Sequence, residues 1–194
     1  MTINSSSKLI KDLKSIPSPV FYIFAAVALF CAFFVCGFSV AGVFAALFLL
    51  LLVACACADI NAGIVPDVVV IAIAVLGIVN FLVLEPFTVA SVTSHLIGAV
   101  CISLPMLLIS LIVRGAFGGG DIKFMAAAGL YLGWKLALVG AFIGMFVSGF
   151  YGIYLLVLRK ASQTSKIKLA PFLTFGLSIA ALFGELLLFL FVSL

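Results

Sequence analysis

Long uncharged stretches, each closed by a charged residue or a proline, organise this sequence. Residues 1–19 carry Lys8, Lys11, Asp12 and Lys14, with Leu9, Leu13 and Ile16 at helical spacing between them. That pattern predicts a short amphipathic surface helix before Pro17 and Pro19. Val20 to Ala58 contains no charge, which is too long for one ordinary bilayer crossing and suits two, turning near Cys36-Gly37-Phe38-Ser39. A third crossing is predicted from Val68 to Leu84, entered through Pro66-Asp67 and left at Glu85-Pro86. The fourth runs from Ser91 to Val113 and ends at Arg114. The interval between Lys123 and Arg159, broken only by Lys135, would measure about 52 Å as one helix against a hydrocarbon core of ~30 Å. Two passes are therefore predicted, a short one from Ile122, a turn between Lys135 and Gly140, and a return to Leu158. The last crossing runs from Pro171 to Val192.

Composition agrees with this pattern. Of 194 residues, 67% are hydrophobic and 8% charged, far from the balance of a soluble domain. The expected fold is an all-α, polytopic membrane helical bundle of about seven crossings, a six-helix core plus an N-terminal helix. Its expected organisation is a cytoplasmic amphipathic segment over 1–19 and one membrane-embedded domain over 20–194. A basic start before an apolar run also fits a signal peptide, but a second run follows at once, so Val20 onward reads as a retained anchor. Lys8, Lys11, Lys14, Arg114, Lys123, Arg159, Lys160, Lys166 and Lys168 fall on one side of these crossings and Lys135 alone on the other. By the positive-inside rule the first side, with the N-terminus, is cytoplasmic. The net charge of +4 comes from loop residues rather than a basic face, so no nucleic-acid partner is expected; the bilayer is the expected surrounding. Cys31, Cys36, Cys55, Cys57 and Cys101 lie inside or at the ends of apolar runs, which is no disulfide scaffold.

Function must then be read from few polar residues. Asp12 falls in the tail, Glu85 in an outer loop and Glu185 near the outer interface. Asp67, after Pro66 and before an apolar run, is expected to cap a helix. Asp59 and Asp121 are harder to assign to solvation. Asp59 ends a crossing where the helix dipole disfavours negative charge. Asp121 follows Gly118-Gly119-Gly120, whose freedom lets backbone approach a substrate or a loop move. Two interfacial carboxylates that merely solvate loop ends remain the plain alternative at this point.

Three stretches bear on the choice: Asp59 with Ile64-Val65-Pro66-Asp67, then Phe117-Gly118-Gly119-Gly120-Asp121-Ile122-Lys123, then Ala170-Pro171-Phe172-Leu173-Thr174-Phe175-Gly176. In this order they resemble the type IV prepilin peptidases, membrane aspartic proteases with a Gly-x-Gly-Asp-x-Lys motif. Gly118, Gly120, Asp121 and Lys123 fill that motif. Asp59 with Pro66 and Asp67 matches the first, and Pro171 and Phe172 begin the third. The resemblance spans roughly residues 40–190. It implies Asp59 and Asp121 as the catalytic pair. It also implies a prepilin or pseudopilin substrate with an N-terminal hydrophobic helix, cut after a Gly behind a short basic leader. Many members add a methyltransferase region with Cys-x-x-Cys pairs, which these residues lack; the chain resembles the short, peptidase-only branch found with Tad/Flp-type pilus systems, and neither zinc nor another cofactor is expected. Lys168-Leu169-Ala170 stands where the family often has a Gly before the Pro.

The chemistry can be argued independently. Two carboxylates held close share one proton, so one can take a proton from water while the other hydrogen-bonds the scissile carbonyl. Lys123 would tune this pair or hold the glycine segment. His95, the sole His, falls near the opposite face, which leaves no Ser-His or Cys-His arrangement. A transporter or channel binding a cation or protons at Asp59 and Asp121 is the rival reading. Presenilin-like proteases differ in carrying Tyr-Asp and Pro-Ala-Leu where this chain has Ala58-Asp59 and Pro171-Phe172-Leu173.

Overall fold

The computed structural model describes residues 19–113, 115–158 and 168–192. Residues 1–18 of the segment expected over 1–19, together with Arg114, Arg159, Lys160, Lys166 and the Glu185 side chain, lie outside the described residues. Among those described, the chain is helical and contains no strand. In order come α1 (Pro19–Cys36), α2 (Val40–Ala62), α3 (Asp67–Leu84), α4 (Val89–Cys101), α5 (Ser103–Ile112), α6 (Gly119–Val157) and α7 (Ala170–Val192). Four described stretches are long and apolar enough to cross a membrane: Val40–Ala62, Asp67–Leu84, Val89–Ile112 and Gly119–Val157. Phe21–Cys36 and Ala170–Gly184 are shorter apolar helices. This is an all-α, multi-pass membrane protein.

The first turn forms where the sequence places it. Gly37 takes φ +67, a left-handed conformation that costs glycine little. Ser39 then caps α2 by accepting from Gly42 N–H at 3.1 Å while donating to the Cys36 carbonyl at 3.0 Å. The other end of α2 differs from expectation. Asp59 does not end the helix, which continues to Ala62 and stops at Gly63, whose N–H donates to the Asp59 carbonyl at 2.8 Å. Loss of hydropathy marks the edge of the bilayer, whereas the left-handed Gly63 marks the end of the helix.

The fourth crossing is broken into α4 and α5. Pro105 lacks an N–H and its ring crowds the Cys101 carbonyl four residues back, which is where α4 ends. Ser103 Oγ donates to the Ala99 carbonyl beside the break.

The stretch between Lys123 and Arg159 makes two passes, but the reversal is at Gly133 (φ 73, ψ 169), ahead of the Lys135–Gly140 turn expected. Only glycine adopts that conformation readily. Packing fixes the direction of the returning limb. A Cβ at Gly140 would meet Leu177 and Ala180, and one at Gly144 would meet Phe172 and Leu173. The second limb therefore descends α7 towards the end where α6 began. Glycines let backbones touch: Gly98 lies against Gly129, and Gly176 against Gly140 and Gly144.

His95 secures the reversal. The kink leaves the Leu130 carbonyl without its normal helical partner, and His95 Nδ1 lies 2.7 Å from that oxygen. Its Nε2 is 3.0 Å from Glu85 Oε1. His95 is thus a buried clamp joining α3, α4 and α6, and Glu85 is its partner rather than a simple loop charge.

Candidate active site

The dipole at the end of α2 opposes an ionised Asp59, and the start of α7 compensates. The N–H of Ala170, the first residue of α7, donates to Asp59 Oδ2 at 3.3 Å. That amide belongs to the first turn, which has no partner within its own helix. Lys168, two residues earlier, donates through Nζ to the Ile60 carbonyl, one of the last carbonyls of α2. Asp59 is 7% exposed, so these contacts define its surroundings.

Asp121 lies in the first turn of α6, three residues after the cap residue Gly118. Its carboxylate turns back to the Gly118 backbone N–H, as the third helical residue does in a capping box. The glycine segment is accordingly more ordered than the open loop its composition predicts. Gly119 and Gly120 already belong to α6. A Cβ on Gly120 would stand 3.0 Å from Val65 Cβ, so glycine lets α6 seat against the α2–α3 connection.

A cavity of about 370 Å³ opens between these parts, lined by Asp59, Gly63, Ile64, Val65, Asp67, Gly118, Gly119, Gly120, Asp121 and Lys123. Both carboxylates singled out from the sequence face it, close enough for Asp59 to act electrostatically on Asp121. One lies in the last turn of α2 and the other in the first turn of α6, at the same end of the bundle.

Asp67 is not a helix cap. Pro66 occupies the cap position of α3, and Asp67 is the first helical residue, where an acidic group suits the dipole. Its Oδ1 accepts from Lys123 Nζ at 2.9 Å. Lys123 therefore ties α6 to α3 across the cavity mouth. The pair is exposed, 60% for the Lys123 side chain and 44% for Asp67, so its strength is that of a screened surface bridge. Lys123→Met is expected to lower any activity of the site by no more than about fivefold, matching the ~1 kcal/mol ceiling for such pairs. Exchanging the two charges (Lys123→Asp with Asp67→Lys) should restore most of the loss; turnover in membranes containing equal protein measures it. A drop to background in Lys123→Met would give the ammonium a direct chemical role instead.

The remaining motif residues support the site from behind. Pro66 is fully buried. Pro171 falls in the first turn of α7, where a missing N–H costs nothing, and Phe172 packs against Tyr151 with ring centres 5.2 Å apart. Neither lines the cavity. Lys168 and Ala170 contact the Asp59 turn, although the sequence marked them only as a departure from a motif.

Residues 46–153, more than half of the chain, match the type IV leader peptidase family. The chain belongs to that family. Among relatives, it is 27% identical over 99 residues to the prepilin leader peptidase/N-methyltransferase of Bacillus subtilis (strain 168). It is 35% identical over 72 residues to the protein of the same name from Aeromonas hydrophila. These alignments cover 51% and 37% of this chain, but only 40% and 25% of the relatives. No solved structure matches. The family match includes Asp59, Asp67, the glycine segment, Asp121 and Lys123, and stops before α7.

Proposed function

We propose that this chain is a membrane aspartic endopeptidase that removes the short basic leader of a prepilin-like protein, cutting after a Gly. The observation that carries this reading is the convergence of Asp59 and Asp121 on one cavity in a chain of this family. The reaction takes place at the cytoplasmic face of the inner membrane, with the N-terminus on that side, within a single peptidase domain over 20–194.

The chemistry balances without a cofactor. One carboxylate is ionised and its neighbour protonated. The ionised member takes a proton from water as the water oxygen bonds to the scissile carbonyl carbon. The protonated member gives its proton to the carbonyl oxygen, forming a neutral gem-diol. When the C–N bond breaks, the first carboxyl passes its proton to the departing nitrogen, and the second regains one from a diol hydroxyl. Both groups return to their starting states.

The surroundings suit such a substrate. Both carboxylates lie in terminal helix turns. A substrate whose hydrophobic helix stays in the bilayer brings its leader junction to that level. A cation or proton carrier would instead call for ionisable groups near mid-bilayer.

Membranes containing this chain and a prepilin should convert the precursor to a shorter product whose new N-terminus follows the Gly, as N-terminal sequencing reads it. With a methyl donor present, that terminus should remain unmethylated, because these residues contain no Cys-x-x-Cys pair. An uncleaved precursor contradicts the peptidase reading, and a methylated product contradicts the peptidase-only one.

A further inference from the structure

Two contacts separated by one residue grip the end of α2 from the start of α7. Lys168 Nζ donates to the Ile60 carbonyl, and the Ala170 N–H donates to the Asp59 carboxylate. The two acceptors belong to adjacent residues. The ammonium is thus held beside Asp59 by a backbone contact, independently of that carboxylate's protonation. Among the described residues Asp121 has no comparable cation: Lys123, two residues away on α6, is engaged by Asp67. Each carboxylate accepts from a backbone N–H at a helix start, Asp59 from Ala170 and Asp121 from Gly118, but they differ in this charge.

We infer that Lys168 is a positioning residue that holds Asp59 as the ionised member of the pair, so that Asp59 takes the proton from water and Asp121 carries the shared proton. This assignment rests on the peptidase reading above. A fixed cation favours the ionised form of a nearby carboxylate. The first N–H of α7 acts in the same direction. The other groups around Asp59 are Asp121 and Lys123 on α6, Asp67 on α3, and Cys55 one turn back on α2. Asp121 opposes ionisation of Asp59, which is why a compensating cation matters. Lys123 is taken up by Asp67, so among the described residues Lys168 is the charge placed to favour Asp59.

The departure at Lys168-Leu169-Ala170 then has a consequence. Glycine before Pro171 would supply the same N–H. The side chain two residues earlier adds the cation, and the buried Ala170 methyl helps seat the turn.

The test is the pH dependence of prepilin cleavage in membranes for the unaltered chain, Lys168→Met and Lys168→Arg, at equal protein levels. The acid limb of the profile reports the group that must be ionised, and the alkaline limb the group that must be protonated. Removing the cation should move the acid limb of Lys168→Met to higher pH by about half a unit or more, leaving the alkaline limb in place. Lys168→Arg should return it. Lys168→Gln, which keeps an N–H donor without the charge, carries the test should the Met variant not accumulate. Uniform loss of activity with both limbs unmoved would overturn the inference, leaving Lys168 a structural tie. Movement of the alkaline limb alone would reverse the roles of Asp59 and Asp121. Failure of the unaltered chain to cleave at any pH would instead remove the peptidase reading.

Discussion

Asp59→Asn and Asp121→Asn should each lose about 10²- to 10⁴-fold in prepilin cleavage, the range that positioned acid–base groups supply, while accumulating in the membrane as the unaltered chain does. The second half of this expectation follows from the contacts. Asp59 accepts from the Ala170 N–H, and Asp121 from the Gly118 N–H. An asparagine carbonyl oxygen accepts in the same place, so α7 and the start of α6 keep their anchors. The first half follows from proton accounting. An amide neither takes a proton from water nor returns one to the leaving nitrogen, and either loss stops the cycle. The double variant should be no worse than either single one, because the two groups act as a unit. Asp67→Asn should be mild, because Asp67 serves an exposed bridge with Lys123. Quantifying processed prepilin in membranes with equal amounts of each variant decides the matter. Substantial cleavage by either the Asp59 or the Asp121 variant would exclude the two-carboxylate mechanism.

The other large effect should appear far from any carboxylate. Gly176→Ala is expected to destabilise the bundle by about 1–3 kcal/mol, the usual cost of overpacking, and Gly176→Val by more. A Cβ at Gly176 would stand 2.1 Å from the Gly140 carbonyl oxygen and 2.5 Å from Gly144 N. Both are backbone atoms, with no rotamer to change, so α7 must separate from the second limb of α6. Ala170 begins the same helix, and its movement would also release Asp59. Stability and cleavage should therefore fall together. Gly149 provides the control: a Cβ there meets nothing within 4 Å, so Gly149→Ala should be neutral or stabilise helix α6 slightly. Thermal unfolding in detergent should separate the two substitutions clearly. Equal behaviour would mean that the Gly140–Gly144–Gly176 contact does not hold the bundle.

Much of this was legible in the sequence because a bilayer imposes a simple code. Charge-free intervals locate the crossings, Gly37 and Ser39 give the first turn, and excess length requires a reversal between Lys123 and Arg159. What remained hidden depends on tertiary partners. Periodicity carries no signal that Gly133 rather than Lys135–Gly140 makes the turn, since the carbonyl freed there, Leu130, finds its partner in His95 on another helix. The Pro105 break was available in principle, because proline removes a known hydrogen bond. Of the polar residues facing the cavity, Asp59, Asp67, Asp121 and Lys123 were visible by type and motif. The Lys123–Asp67 pairing was not, since the two residues lie on different helices. Lys168 looked like one more cytoplasmic anchor. Only the packing of α7 against α2 brings it to Ile60.

The reversal at Gly133 also sets how deep the centre of the bundle is. The limb from Gly119 to that kink rises only about 21 Å at 1.5 Å per residue, well under a hydrocarbon thickness of ~30 Å. From Phe124 to Gly133 none of its residues is exposed, so neighbouring helices rather than acyl chains cover it. Hydrophobic mismatch acts on surfaces that lipid touches, and here those belong to the outer helices. The inner limb is therefore spared the length rule that governs its neighbours, and its span is fixed by protein contacts at its two ends, Gly120 against Val65 and the Leu130 carbonyl against His95.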